Sequence, residues 1–221
     1  MAYDPEKHHR RSIRLSGYDY AQPGAYFVTI CIHDRACLFG EVVAGEMRLN
    51  EAGHIAHQCW TDIPNHFPHV QLDAFIVMPN HVHGILVIAH HAAPDDVGAR
   101  HVGARPAVPL QPPAVTPPPT ASRNPAVEQF GKPVHGSIPT IVRSFKSAAT
   151  RHINILRGTP GAPVWQRNYY EHIIRTEDAL RRIRQYIVTN PMRWHLDREN
   201  PDRTGRNPDE EMWFGSIPPN V

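Results

Sequence analysis

Residues 70–78 (VQLDAFIVM) and 82–89 (VHGILVIA) are two strand-like runs separated by Pro79 and Asn80, residue types suited to a tight turn. This pair constrains the fold more than any other feature, because runs joined by so short a link pair as an antiparallel hairpin. The second arm opens on His81-Val82-His83-Gly84. Side chains alternate along a strand, so both imidazoles face one side and Val82 the other. Two convergent imidazoles are half of a divalent-metal site, and a strand is a rigid platform for ligands. The chain has 16 His in 221 residues, so about one H-x-H is expected by chance. What surrounds the pair must therefore carry the functional reading.

The rest of the chain supplies more strands and several helices. Residues 25–33, after Pro23-Gly24, are β-branched and aromatic and predict a first strand. Phe27, Thr29 and Cys31 share one face; Val28, Ile30 and Ile32 share the other. Residues 38–49 predict a second strand or hairpin with Ala44-Gly45 near its turn. Asn50 is placed to cap a helix whose apolar positions are Ala52, Ile55, Ala56, Cys59 and Trp60, with Pro64 as its stop and His54 and His57 on a polar face. Ser137 or Thr140 opens a second helix, ended by Gly158 and Pro160, with Arg143, Lys146 and Arg151 off its apolar stripe. Residues 164–174 (VWQRNYYEHII) read as a fifth strand. Thr176 caps a last helix that runs to about Asn190 and is stopped by Pro191. Its buried stripe is Leu180, Ile183 and Ile187. The expected class is α+β, with an antiparallel sheet.

Composition narrows the setting. A hydrophobic share of 41% supports a real core in one domain with extensions. Lys7, Lys132 and Lys146 are the only lysines among 23 Lys and Arg. Arg suits phosphate and base edges, although a GC-rich genome produces the same bias. Cys31, Cys37 and Cys59 are odd in number and lack C-x-x-C spacing, which argues against disulfides and a zinc knuckle and fits a reducing cytoplasm. No signal-peptide core and no membrane-spanning run is present. Residues 1–22, with His8-His9-Arg10-Arg11 and Arg14, read as a basic arm. Residues 92–136 are rich in Pro, Ala and Val and read as a disordered or polyproline-like insertion. Residues 197–221 read as a polar tail without legible chemistry.

On the last helix Tyr186 and Asn190 are four apart and share a face, which Arg182 extends. An Asn carbonyl is an acceptable ligand for Mg²⁺ or Mn²⁺ beside two imidazoles. A Tyr one turn away could attack a phosphate held on that ion. Unaided it is a poor nucleophile, since a free phenol ionises near pH 10.

Three blocks in order, residues 79–83 (PNHVH), 165–175 (WQRNYYEHIIR) and 186–191 (YIVTNP), resemble the signature blocks of REP-associated tyrosine transposases. These belong to the wider H-U-H (His, bulky apolar, His) single-strand transposases. The resemblance covers most of the chain from Tyr18 to about Trp194, the Pro-rich insertion excepted. It implies a ferredoxin-like sheet with helices packed on one side, and an H-U-H transposase domain over residues 23–196. It implies His81 and His83 as a metal pair, Asn190 as third ligand, Mg²⁺ (or Mn²⁺) as cofactor and Tyr186 as nucleophile on single-stranded or hairpin DNA, typically palindromic repeats. The product would be a 5′-phosphotyrosine and a free 3′-hydroxyl. Arg14, Trp165, Arg167, Arg175 and Arg182 are DNA-contact candidates, by stacking and phosphate pairing. Tyr169 and Tyr170 are rival nucleophiles, disfavoured by strand placement and by the lack of an amide ligand nearby. A monomer suffices if the Tyr helix docks on its own chain; otherwise a homodimer is needed. The expected location is the bacterial cytoplasm, at the nucleoid. A non-catalytic hairpin-binding module and a water-using metal phosphohydrolase are the rival readings.

Overall fold

The computed structural model describes residues 18–89 and 134–207. The expected basic arm up to residue 17, Arg14 included, the insertion up to residue 133, and the tail beyond residue 207 lie outside them.

The first strand, β1 (Gly24–Cys31), leads into a small hairpin of β2 (Gly40–Val43) and β3 (Glu46–Leu49). Ala44 and Gly45 turn it with φ of 52° and 80°, the left-handed pair that a two-residue hairpin loop requires. Helix α1 (Glu51–Thr61) follows, its amino end capped by Asn50 Oδ1, which accepts from Gly53 N–H at 3.0 Å. Pro64 does not end α1, as expected; it lies in the first turn of a separate short helix, α2 (Ile63–His66), where proline is tolerated. Strands β4 (Val70–Val77) and β5 (His81–Ile88) form the anticipated hairpin. Helix α3 (Ile138–Arg157) closes on Gly158 in the left-handed conformation. Then come β6 (Tyr170–Ile174), α4 (Glu177–Thr189, capped by Thr176) and a 3₁₀ turn over Pro191–Leu196.

Four strands form one antiparallel sheet in the order β4-β5-β1-β6. Taken with α1 and α3, this is the split βαβ arrangement of a ferredoxin-like fold. The structure shows the expected α+β class, an antiparallel sheet with the helices of this unit, α1 and α3, packed on one side. Tyr26, Val28, Ile30, Val82, Leu86 and Ile88 meet residues of α1 and α3, including Trp60, Ile141 and Phe145, in the main core. Helix α4 comes after that unit is complete and covers the other face, where Ile183, Tyr186 and Ile187 pack on Phe27 and Ile85. The face alternation expected for β1 is thus the division between two hydrophobic clusters.

The fifth strand is shorter than the run 164–174 suggested. Only Tyr170–Ile174 pairs regularly with β1; Trp165 makes a single bridge to Ile32. The main-chain carbonyls of Gln166 and Arg167 accept from Lys146 Nζ at 2.6 and 3.2 Å. Oxygens committed to an ammonium are not available to a strand ladder.

Two contacts hold α4 and β5 where the site needs them. Gly84 lies between His83 and Ile85, and a Cβ there would collide with the Trp60 indole. A bulge in β4 between Leu72 and Phe75 turns Asp73 towards α4, where its carboxylate takes Arg184 Nε at 2.9 Å and Nη2 at 2.6 Å. Burial pushes the Asp73 carboxyl up, but the Arg184 fork and the Ala74 N–H outweigh it and hold the carboxyl below its ordinary range.

Gly84→Ala is expected to lower stability by about 1–3 kcal/mol in urea denaturation, the usual cost of overpacking a filled core. Asp73→Asn is expected to cost about 1 kcal/mol at neutral pH. Because the folded pKa is depressed, that contribution is present above the unfolded carboxylate range and disappears as pH falls through the folded value. The difference between variant and wild type should therefore shrink below about pH 4 in pH-dependent melts.

Candidate active site

His81 and His83 open β5 and point to the α4 face, with 0% and 1% of their surface exposed. Each ring is tied from behind at Nδ1. Asn80 Nδ2 donates to the carbonyls of Arg35 (3.1 Å) and Glu199 (2.7 Å), which fixes the orientation of its amide. Its Oδ1 therefore accepts from His81 Nδ1–H at 2.9 Å. This leaves His81 Nε2 with a bare lone pair in the neutral ring. His83 Nδ1 is 2.9 Å from Thr29 Oγ1, its cross-strand neighbour on β1. Outer partners of this kind are how proteins aim imidazoles at a metal.

Both Nε2 atoms then converge. They lie 3.0 Å apart, and the Tyr186 hydroxyl is 3.2 Å from His83 Nε2. Burial first, and then the repulsion that a charged ring would meet from His81 and Arg198, hold His83 well below the ordinary imidazole range. It is neutral at physiological pH, the form that can ligate. Phe27 packs against both the His83 and Tyr186 rings and fixes their relative pose.

A carboxylate joins them that the sequence did not announce. Asp197 is 1% exposed; its Oδ1 accepts from Glu199 N–H, and its Oδ2 stands 3.7 Å from His81 Nε2. Ligand atoms of His81, His83 and Asp197 all fall within 4.8 Å of one another. The tail was expected to be a polar segment without chemistry. Its first residues are instead buried, with Asp197, Glu199, Asn200 and Asn207 all covered. Glu199 ties that segment to the hairpin through Asn80 and through Arg35 Nε at 3.4 Å. The signal available in sequence was Asp197-Arg198-Glu199-Asn200, a polar run whose partners lie more than a hundred residues away.

Asn190 caps α4, one turn beyond Tyr186, and is 1% exposed. Neither its Oδ1 nor its Nδ2 has a hydrogen-bond partner among the described residues. Leaving such an amide buried and unpaired costs about 1–3 kcal/mol. Asp197 Oδ2 is equally without a hydrogen bond. Bare imidazole nitrogens, an orphaned amide and an orphaned carboxylate oxygen are the donor set of a hard or borderline divalent cation, and the residues present fit one.

The other sequence candidates scatter. Trp165 is 7% exposed, donates its indole N–H to Lys146 O, and is packed by Phe39 and Phe145. Its ring is core, with no face open to a base. Arg167, Arg175 and Arg182 are exposed, on the loop before β6, just after β6, and one turn ahead of Tyr186. Tyr170 lies on the α4 face, edge-on to Phe27, and burial raises its ionisation.

An uncharacterized protein of Haemophilus influenzae (strain Rd) is 40% identical over 195 residues, 88% of this chain and 95% of that one. The two chains belong to one family. No protein-family profile matches the chain. Among solved structures, a REP-associated tyrosine transposase bound to a REP hairpin overlaps 83% of this chain and 74% of its own, at 16% identity and a TM-score of 0.49. A transposase candidate from Deinococcus radiodurans overlaps 79% of this chain and 96% of its own, at 18% identity and a TM-score of 0.38. Overlaps this partial leave the functional reading to the site's own geometry.

Mn²⁺ titration followed by calorimetry is expected to give one site per chain. Asp197→Asn should weaken it at least about tenfold. Binding should weaken in acid, below the ordinary imidazole range, where protons begin to compete with the cation for His83 Nε2.

Proposed function

We propose that this protein is a DNA-cleaving and strand-joining enzyme of the H-U-H tyrosine type, acting on single-stranded DNA near a hairpin. The observation that carries the reading is the 3.2 Å approach of the Tyr186 hydroxyl to His83 Nε2, between segments 103 residues apart in the chain. It rests further on the three sequence blocks and on the orphaned polar atoms of Asn190 and Asp197. His81, His83 and Asn190 would hold Mg²⁺ or Mn²⁺, and Asp197 would add a charged ligand. Such a cation, when bound, would draw charge off the scissile phosphate and stabilise the departing oxygen.

The chain's own groups do the rest. Thr29 and Asn80 keep both imidazoles aimed inward, and Phe27 braces Tyr186 against the sheet. The Tyr186 oxygen forms the new bond to phosphorus as the bond from phosphorus to O3′ breaks. The phenol loses one proton and the departing 3′-hydroxyl gains one. The tyrosyl phosphodiester conserves the bond energy, so a 3′-hydroxyl can reverse the step and join strands without ATP. Substrate DNA, hairpin recognition and a role in transposition or repeat mobilisation belong to this proposal, as does the cytoplasmic, nucleoid setting. Among the described residues no helix is long and apolar enough to cross a membrane.

The test is an adduct assay on single-stranded hairpin DNA with Mn²⁺, run on a denaturing gel. Wild type is expected to give a protein–DNA band, and Tyr186→Phe none. An adduct retained in Tyr186→Phe overturns the nucleophile. Turnover with no adduct in the wild type overturns the tyrosine mechanism in favour of water attack.

A further inference from the structure

Helix α3 forms one side of an open groove; the segment from Gly158 to Tyr169 forms the other. Its volume of ≈ 990 Å³ is at the upper end for a small-molecule pocket and suits a segment of polymer. The charged residues that line it are Arg143, Lys146, Arg151 and Arg167, with no Asp or Glu among them. Arg143, Arg151 and Arg167 are exposed and make no ion pair with a carboxylate among the described residues. Lys146 differs. Its ammonium is half-buried and capped by two carbonyls of the opposite wall, and burial lowers its pKa to about 8. It braces the groove, while the three arginines remain available.

The floor is apolar, with Val142, Pro160, Pro163 and Val164, beside the half-buried ring of Tyr169 and the exposed side chain of Ile155. A cationic rim over an apolar and aromatic floor is the pattern that holds a single strand, with phosphates on the rim and unpaired base faces on the floor. A duplex keeps its base faces stacked inside and has no use for such a floor.

The groove's position links it to the site. Gln166 N–H donates to Cys31 O, and Trp165 bridges Ile32, at the carboxyl end of β1. On the other side of that same end, Cys31 pairs with His81. The groove wall and the imidazole pair therefore share one end of the sheet, on opposite faces.

We propose that this groove is a single-stranded DNA track, gripping the phosphate backbone of the strand that flanks the point of attack through Arg143, Arg151 and Arg167. It rests on the proposed DNA-cleaving function and adds where the strand lies. The experiment is fluorescence anisotropy with labelled oligothymidylate over a salt series, comparing the full chain with an Arg143→Ala, Arg151→Ala, Arg167→Ala triple variant. Circular dichroism melts check that both are folded, which the exposure of all three side chains favours. The expected result is binding by wild type, weakened about 10–100-fold in the variant, with the slope of log K against log salt shallower by about 2, the release expected for three lost phosphate contacts. A folded variant with wild-type affinity and slope overturns the groove and leaves the function standing. Wild type that fails to bind at low salt overturns both. If the triple variant does not fold, single Arg143→Ala and Arg167→Ala variants decide, each expected to reduce the slope by about 0.7.

Discussion

The site depends on how two imidazoles are held from behind. Asn80 and Thr29 occupy the two Nδ1 atoms, so both Nε2 atoms are turned into a buried space and brought to 3.0 Å. With His81 fixed as the tautomer bearing its proton on Nδ1, a neutral pair cannot present two lone pairs at that distance without something positive between them. A proton serves when nothing else is bound; a divalent cation serves better, because it also reaches the orphaned oxygens of Asp197 and Asn190. The burial that holds His83 neutral works in the same direction.

The second constraint is the placement of α4. A ferredoxin-like sheet covers one face with its two crossover helices and leaves the other open. Here that open face is the one the odd-numbered residues of β1 and β5 occupy, Thr29, His81 and His83 among them. Helix α4 fills it with Ile183 and Ile187, and the Asp73–Arg184 fork fixes it on its own chain. Tyr186 is thereby held 3.2 Å from His83 Nε2. Tyr186 is 3% exposed, and the segment following α4 brings Trp194 and Asp197 against His81.

What could be read from sequence was what has a period or a cap. The H-x-H spacing put both rings on one face, the β1 alternation separated the two cores, and Asn50 and Thr176 capped the helices assigned to them. What could not be read was set by distant partners of irregular segments. Asn80 looks like an ordinary turn residue, yet it is buried because Glu199, 119 positions away, accepts its amide. Asp197 sits in a segment with no repeat, so no pattern marks it. Trp165, amid polar neighbours, suggested a stacking platform, but Phe39 and Phe145 enclose it. The groove beside it surfaced only as separate basic residues, since its walls come from a helix and a loop that meet through Lys146.

The most direct measurement is anomalous diffraction from crystals soaked in Mn²⁺. The account predicts one strong peak on the α4 face of β5, about 2.0–2.3 Å from Nε2 of both His81 and His83, with the Asp197 or Asn190 oxygen and the Tyr186 hydroxyl beside it. Crystals at full Mn²⁺ loading that show no peak there, with the two imidazoles still in mutual contact, would contradict it.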